Sequence, residues 1–265
     1  MTDQPTTGSV PEPDPAARRQ ELLRRRLAKA KAAKAAAAVG GTERHSIAPR
    51  PEGTPVPLSS AQRRMWFLAQ YEPDSAAYHI PLALHLDGEP DTAALGAALT
   101  DVLARHEVLR TVYPEVDGEV SPETLPADRF TLTTADVPAE QVDAWLETEA
   151  RRPFDLAADL PLRAALLRTG DGAVLSLVLH HIAADGWSIG VLFDDLATAY
   201  GARRTGTAPA FEPLPVQYAD VAHWQQTELA AELDRQQAWW QERLRGATAT
   251  VTVPADRPRP AVAGT

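Results

Sequence analysis

The sequence predicts an α/β fold of the α+β type, in which a mixed sheet carries flanking helices. Residues 173–179 form an almost wholly apolar run, which is typical of a strand covered on both faces. Residues 92–109 place Leu95, Leu99 and Val102 at helical spacing, as one buried helix face requires. Strands and helices mix without regular βαβ alternation or internal repeats. This arrangement favours a layered mixed-sheet body.

The composition is that of an ordinary globular protein without cysteine. Hydrophobic residues make up 44% of the 265 positions, which is enough to build a substantial core. The absence of cysteine excludes disulfides, thiolate metal ligands and a cysteine nucleophile. The net charge of −10 makes nucleic acid an unexpected partner. Neither a transmembrane run nor a signal-peptide pattern occurs, so we expect a cytoplasmic protein without membrane contact.

Residues 1–54 are expected to be a flexible, disordered linker segment that contains one basic helix at about 16–38. That helix consists almost entirely of strong helix formers, and eight residues between Arg18 and Lys34 are basic. It could dock on an acidic partner or an upstream module. It could equally be a solvated linker helix, because an isolated helix with little packing is marginal.

The folded body is expected to contain several capped helices. Ser59 or Ser60 can cap the first helix, Asp91 the second, and Asp185 the helix that follows the apolar strand. The expected helices are 61–70, 92–109, 138–151, about 187–200 and helical material over roughly 216–244.

The expected strands alternate with these helices. Pro81 places its strand at an edge or a bulge, since proline cannot donate to a ladder. Asp117-Gly118 is a hairpin turn signal, and a second turn spans 170–172. The expected strands are 78–86, 109–116, 162–169 and 173–179.

Two histidines at the end of the apolar strand are the candidate catalytic residues. Successive side chains of an extended segment point to opposite sides, so only one of His180 and His181 can face a given cavity. A neutral imidazole can act as a general base for an amine or a hydroxyl. Asp185 could orient an imidazole, pair with an arginine or cap a helix. Gly186 lets backbone N–H groups at the helix start approach an oxyanion, so the pattern indicates acyl transfer.

Two simpler interpretations remain open on these residues alone. The histidines could be hydrogen-bonded core residues, with Asp185 only a helix cap. His180, His181 and Asp185 could also bind a metal, but opposed side chains make joint ligation awkward, so we expect no metal.

Residues 180–186 resemble the HHxxxDG signature of nonribosomal peptide synthetase condensation domains, and Trp187 and Ser188 match its extension. Further motifs follow in the order of that family. The similar stretches are 58–68 (LSSAQRRMWFL), 105–111 (RHEVLRT), 152–156 (RPFDL), 217–225 (QYADVAHWQ) and 256–260 (DRPRP). Residues 55–265 are therefore identified as similar to the N-terminal lobe of a condensation domain.

The resemblance implies a chloramphenicol-acetyltransferase-like lobe, with the HHxxxDG loop at the junction of two lobes. Donor and acceptor carrier domains would present phosphopantetheine thioesters there, without a directly bound cofactor, and the acceptor amine would attack the donor thioester to form a peptide bond.

The resemblance also implies roles for single residues. His181 would position or deprotonate the amine, His180 and Asp185 would shape the loop, and Asp185 would pair with an arginine. Gly186 would line the oxyanion position. Trp187 and Ser188 would shape the substrate loop, and Arg64 and Arg110 would be structural arginines.

One departure limits these expectations, because no part of the chain corresponds to the family's C-terminal lobe. We expect this chain to supply one wall of the site and to lack activity alone, with the missing lobe as a partner. Two alternatives stay open: an HxxxD-type acyltransferase that uses coenzyme A thioesters, and a noncatalytic carrier-docking module.

Overall fold

The computed structural model describes residues 47–170, 172–247 and 256–258. The predicted basic helix at about 16–38 and nearly all of the predicted linker segment lie outside the described residues. The same holds for Asp171 and for the last two residues of the 256–260 motif. The structure does not test these predictions.

The described chain forms a mixed sheet with flanking helices, as the sequence predicts. The helices are α1 (Ser60–Tyr71), α2 (Thr92–Arg105), α3 (Val142–Arg151), α4 (Ser188–Arg204), α5 (Tyr218–Thr227) and α6 (Ala230–Arg243). The strands are β1 (His79–Leu86), β2 (Thr111–Val112), β3 (Glu115–Val116), β4 (Glu119–Val120), β5 (Glu123–Thr124), β6 (Thr133–Asp136), β7 (Leu162–Thr169) and β8 (Gly172–His180). Short 3-10 turns span Glu107–Arg110, Ala127–Arg129 and Ala139–Gln141.

The main sheet has the strand order β1-β8-β7-β6. β8 pairs antiparallel with both β1 and β7, and β6 runs parallel to β7. β8 is buried from Ala173 to His180, which confirms the predicted strand with two covered faces. β1 lies at the edge of the sheet, as Pro81 predicts. Proline has no N–H to donate to a neighbouring strand, and an edge strand tolerates this loss.

The two faces of β8 contact different helices. Leu175, Leu177 and Leu179 point into the larger core cluster, which includes residues of α2 and α4. Val178 packs in a second cluster with Met65 of α1. Because side chains alternate along a strand, His180 continues the face of Val178. The alternation of side chains along β8 therefore places His180 and His181 on opposite sides of the sheet.

Two capping predictions are confirmed. The Ser59 side chain accepts from the backbone N–H of Gln62, whose side chain accepts in return from the backbone N–H of Ser59. Asp91 caps α2 by accepting from the N–H of Ala94 at 2.9 Å. Each capping interaction satisfies N–H groups that the first helical turn leaves free.

The region 105–120 differs from its predicted form. The helix expected over 92–109 ends at Arg105, and the strand expected over 109–116 is a 3-10 turn followed by β2 and β3. Arg110 favours this turn, since its Nε donates to the Leu103 carbonyl at 3.0 Å. The hairpin turn at Asp117-Gly118 is confirmed, with φ of 53° and 80° at its two residues.

The sequence pattern did not predict β6, and it predicted one helical region where the structure has two helices. β6 is four polar or small residues and shows no strand pattern. It joins the sheet because α3 returns the chain to the parallel strand β7. The helical material expected over 216–244 is two helices, with a break at residues 228–229.

Candidate active site

The C-terminal end of β8 separates the two candidate histidines. The backbone N–H of His180 donates to the Pro161 carbonyl at 3.0 Å, and that of His181 donates to the Tyr78 carbonyl at 2.8 Å. The His180 side chain is buried, with 4% of its surface exposed, whereas His181 is exposed. The predicted division into one structural and one cavity-facing histidine is therefore present in the geometry.

His180 is locked against its own loop. Its Nδ1 accepts from the backbone N–H of Ile182 at 3.0 Å, which places the ring hydrogen of the neutral form on Nε2. Burial lowers the pKa of His180 to about 4, and the nearby imidazoles of His79 and His181 add to the effect. The ring is thus neutral at physiological pH and shapes the loop that carries His181.

His181 lines a cleft of about 570 Å³, which the N-terminal half of α1, the loop 182–188 and the start of α4 surround. Most of the wall is apolar, including Met65, Ile182 and Leu192. The His181 ring makes no side-chain hydrogen bond with any residue that the structure describes. It is therefore free to meet a polar atom of a bound substrate.

Asp185 holds the turn that leads into α4. Its Oδ1 accepts from the backbone N–H groups of Trp187 at 3.0 Å and Ser188 at 2.9 Å, and from the Ser188 hydroxyl at 2.7 Å. The Ser188 hydroxyl bond, followed by the bond from the Ser188 N–H, lowers the pKa of the Asp185 carboxyl group. The predicted N-cap differs in position: the cap residue of α4 is Trp187, which makes no side-chain cap hydrogen bond, and Asp185 instead binds the turn that leads into the helix. Within the described part of the chain, Asp185 bonds only to its own loop, and no arginine is among its partners there.

The N–H groups expected to bind an oxyanion are partly occupied. Asp185 already accepts from the N–H groups of Trp187 and Ser188. Gly186 is exposed, and a Cβ added there would meet no heavy atom within 4 Å. Gly186 also lies outside the residues that line the cleft. The fold therefore does not itself require glycine at this position, and the predicted oxyanion role finds no support in the geometry.

The remaining predicted residues fall into different settings. Trp187 and Ser188 both line the cleft, and 88% of the Trp187 side chain is exposed. Arg110 holds the 3-10 turn, since it donates to the Leu103 carbonyl at 3.0 Å and to the Leu125 carbonyl at 2.5 Å. Arg64 lines the cleft, is exposed, and has no hydrogen bond or ion pair within the described residues. An exposed arginine without a partner does not fit the structural role that was predicted for Arg64.

Gln62 is a site residue to which the sequence assigned no role. It is buried, and its Nε2 donates to the Tyr113 hydroxyl at 3.0 Å and reaches the Ile182 carbonyl at 3.5 Å. Burial raises the pKa of the Tyr113 hydroxyl well above its usual range. Gln62 thus ties α1 to the residue that follows His181. A glutamine three residues after a helix cap was the available signal.

His106 and Asp195 form a second cluster beside the cleft. Nε2 of His106 lies 2.6 Å from Oδ2 of Asp195, and Nε of Arg105 donates to the same oxygen at 3.0 Å. His106 lines the cleft. This cluster joins the end of α2 to α4. His106 and Asp195 are 89 positions apart in the sequence, so no local pattern predicts their contact.

The described part of the chain has neither a metal-binding cluster nor a membrane-spanning helix. Within the described ranges, no three histidine or acidic side chains lie close enough together to hold a metal ion. Among the helices of that same part of the chain, none has the length and apolar character needed to cross a bilayer.

The comparison with known families decides the membership of the chain. The model of the condensation domain matches residues 53–265. The chain belongs to the condensation domain family. The HHxxxDG loop described above is thus part of a condensation domain.

Curated relatives of this condensation domain are much longer proteins. A protein of Salinispora arenicola described as a probable non-canonical nonribosomal peptide synthetase, CymA, is 51% identical over 224 residues, which are 81% of this chain and 3% of that protein. Phosphinothricin tripeptide synthetase PhsC of Streptomyces viridochromogenes is 43% identical over 243 residues, which are 88% of this chain and 22% of that protein. The chain thus spans a small part of these relatives.

Solved structures show the same fold. The X-domain from teicoplanin biosynthesis, solved in a complex with OxyB, has a TM-score of 0.76 and 39% sequence identity, covering 84% of this chain and 50% of that one. The starter condensation domain of rhizomide synthetase RzmA has a TM-score of 0.66 at 24% identity, covering 78% of this chain and 49% of that one, which supports the fold alone. The condensation domain described here spans about half of each solved chain.

Proposed function

We propose that this condensation domain forms peptide bonds in nonribosomal peptide synthesis, with His181 as its catalytic residue. The observation that carries the proposal is the exposed His181 ring, which lines an apolar cleft of about 570 Å³ while its neighbour His180 is locked in the core. An apolar cleft lined by an imidazole that has no side-chain partner among the described residues suits an uncharged acyl group and an amine nucleophile.

The proposed reaction joins two carrier-bound substrates. Donor and acceptor carrier domains present acyl and aminoacyl groups as phosphopantetheine thioesters. The acceptor amine attacks the donor thioester carbon, the new C–N bond forms, and the C–S bond breaks to release a thiol. His181 positions the amine and accepts its proton, which the leaving thiolate finally receives. His180 and Asp185 shape the loop, and Trp187 and Ser188 border the substrate.

We further propose that residues 55–265 are an N-terminal lobe and supply one wall of the site. The chain covers 50% of the X-domain chain, a share that leaves room for a second lobe opposite His181. A second wall would contact the exposed Trp187 and Arg64, which lines the cleft and has no partner among the described residues. The chain by itself should therefore be inactive, and an upstream module could contact the basic segment at about 16–38.

A reconstituted condensation assay tests both parts of the proposal. The chain alone and a two-lobed domain that contains it are each mixed with donor and acceptor carrier thioesters, and dipeptide is measured by mass spectrometry. His181→Ala in the two-lobed domain should slow condensation by about 100-fold or more. His85→Ala, at an exposed position on β1, is the matched control and should keep the rate. A His181→Ala rate within a factor of two of the unchanged domain would remove His181 from its role.

A second candidate function is a noncatalytic docking module. The 39% identity to an X-domain that was solved in a complex with OxyB favours it. Such a module would bind partner proteins without turnover in the same assay, and its binding would weaken when residues 16–38 are deleted. An acyl-coenzyme A donor in place of the carrier-bound donor separates the proposal from an HxxxD-type acyltransferase.

A further inference from the structure

A second pocket lies behind the histidine loop, away from the cleft. It encloses about 240 Å³ between the C-terminal half of α1, the start of β1 and the end of β8. Leu68, Tyr78 and Phe154 contribute to its wall, together with His79 and His180. Because Leu179 and His181 line the cleft and His180 lines this pocket, the two spaces lie on opposite sides of β8.

The two histidines of this pocket are held rigidly by the sheet. His79 and His180 are direct cross-strand partners in the antiparallel pairing of β1 with β8. Their ring centroids lie 6.0 Å apart, and the Phe154 ring packs edge-on against both, at 5.0 Å from His79 and 5.8 Å from His180. The imidazoles are therefore preorganised.

The hydrogen bonds at Nδ1 determine which hydrogen bond each ring can still make at Nε2. Nδ1 of His180 accepts from the Ile182 N–H, so the hydrogen of the neutral ring is on Nε2. Nδ1 of His79 donates to the Ala150 carbonyl at 2.7 Å, so its neutral ring has a lone pair on Nε2. Burial lowers the pKa of both histidines, which favours these neutral forms. One ring thus presents a donor and the other an acceptor.

Both Nε2 atoms are available to a ligand. Neither has a hydrogen-bond partner among the described residues, and neither is sealed from solvent. Arg163 stacks at 3.7 Å on the Phe154 ring, but its guanidinium is already paired and does not attract an anion into the pocket. Four of its five N–H groups already donate, one to the Glu149 carboxylate and three to the backbone carbonyls of Glu149, Arg152 and Pro153. Glu72 also lines the pocket, and its side-chain charge disfavours an anion there. The donor and the acceptor of the two neutral rings therefore favour an uncharged ligand that accepts one hydrogen bond and donates one.

We propose that this pocket binds a small neutral amide carried on an apolar or aromatic group. The amide oxygen accepts from Nε2–H of His180, the amide N–H donates to Nε2 of His79, and the apolar group lies against Leu68 and Phe154. The pocket volume of about 240 Å³ equals that of about eight liquid waters, which is enough space for one aromatic ring with an amide group. The site is separate from the catalytic cleft and does not depend on the proposed condensation reaction.

Occupancy of the pocket should reach the histidine loop. A ligand that accepts the Nε2 hydrogen of His180 increases the electron density on the ring and makes Nδ1 a better acceptor. The bond from the Ile182 N–H to Nδ1 then shortens, and the Ile182 amide proton shifts downfield. Because Ile182 follows His181, this resonance reports on the geometry of the loop.

Nuclear magnetic resonance with benzamide as the probe tests the proposal on the full chain. Benzamide, up to about 10 mM as expected for a ligand of this size, should shift the imidazole nitrogens of His79 and His180 and the Ile182 amide saturably. Ethylbenzene, of similar size without polar groups, should bind at least about tenfold more weakly. Absence of a saturable shift with benzamide, or equal affinity for ethylbenzene, would overturn the proposal.

Two variants locate the site. Leu68→Trp fills the pocket from α1 and should abolish benzamide binding. Gln70→Trp, at an exposed position of the same helix, is the matched control and should leave binding unchanged. His79→Phe keeps the ring packing but removes the acceptor, and should weaken binding about tenfold. The backbone amide spectrum verifies that each variant is folded, and unchanged binding in a folded Leu68→Trp variant would contradict the assignment.

Discussion

The buried His180 should make the stability of this chain depend on pH in a defined window. Its pKa is 6.5 in its ordinary state and about 4 in the fold, because burial disfavours the charged ring. Below pH 6.5 the unfolded chain binds a proton that the folded chain does not bind until about pH 4. The free energy of unfolding should therefore fall as the pH decreases through this window and be constant for this residue above it.

The size of the effect follows from the two pKa values. Between pH 8 and pH 5, linkage at one histidine with this shift removes about 2 kcal/mol from the free energy of unfolding. The window is acidic, so at neutral pH the full contribution is present. Acidic residues with lowered pKa values, such as Asp185 and Asp220, lose their contributions at still lower pH.

The assay is urea unfolding of wild type and His180→Asn at pH 8 and pH 5. Asparagine keeps an acceptor for the Ile182 N–H, in the geometry of an Asx turn, but cannot titrate. The variant should lose about 2 kcal/mol less than wild type between the two pH values. His85→Asn, at an exposed position, is the control and should follow wild type. An identical pH dependence in wild type and His180→Asn would refute the reasoning.

Four further substitutions test particular contacts by urea unfolding. Asp185→Ala should cost about 1 kcal/mol, because the turn before α4 loses its hydrogen bonds to Oδ1, and no loss would show that these bonds contribute nothing to stability. Gln62→Leu should cost about 2 kcal/mol, because it leaves buried partners unpaired; a neutral effect would argue against this network. Leu177→Ala, at 0% exposure, should cost about 2–5 kcal/mol, and a cost below this range would indicate that the core collapses around it. Gly186→Ala should leave stability within about 0.5 kcal/mol, since its Cβ meets nothing; a larger loss would reveal hidden backbone strain.

Local patterns that rest on one segment were predictable from the sequence. The apolar run that became β8, the edge position of Pro81 and the hairpin at Asp117-Gly118 each depend on a property of a few neighbouring residues. The same holds for the Asp91 cap. The division of His180 from His181 followed from strand parity alone. β6 was not predictable, because its four residues are strand only through pairing with β7.

The sequence by itself determined the family motifs, the mixed α/β body and the residues of the loop, because each is a local pattern along the chain. Only the tertiary structure decided what those residues contact. Asp185 accepts hydrogen bonds from the turn that leads into α4 and has no arginine partner within the described chain. Arg64 lies at the cleft without a partner in the same part of the chain. The tertiary structure also joined Gln62 to Tyr113, and His79 to His180 across two strands. Such contacts arise from the packing of distant segments, which no local pattern encodes.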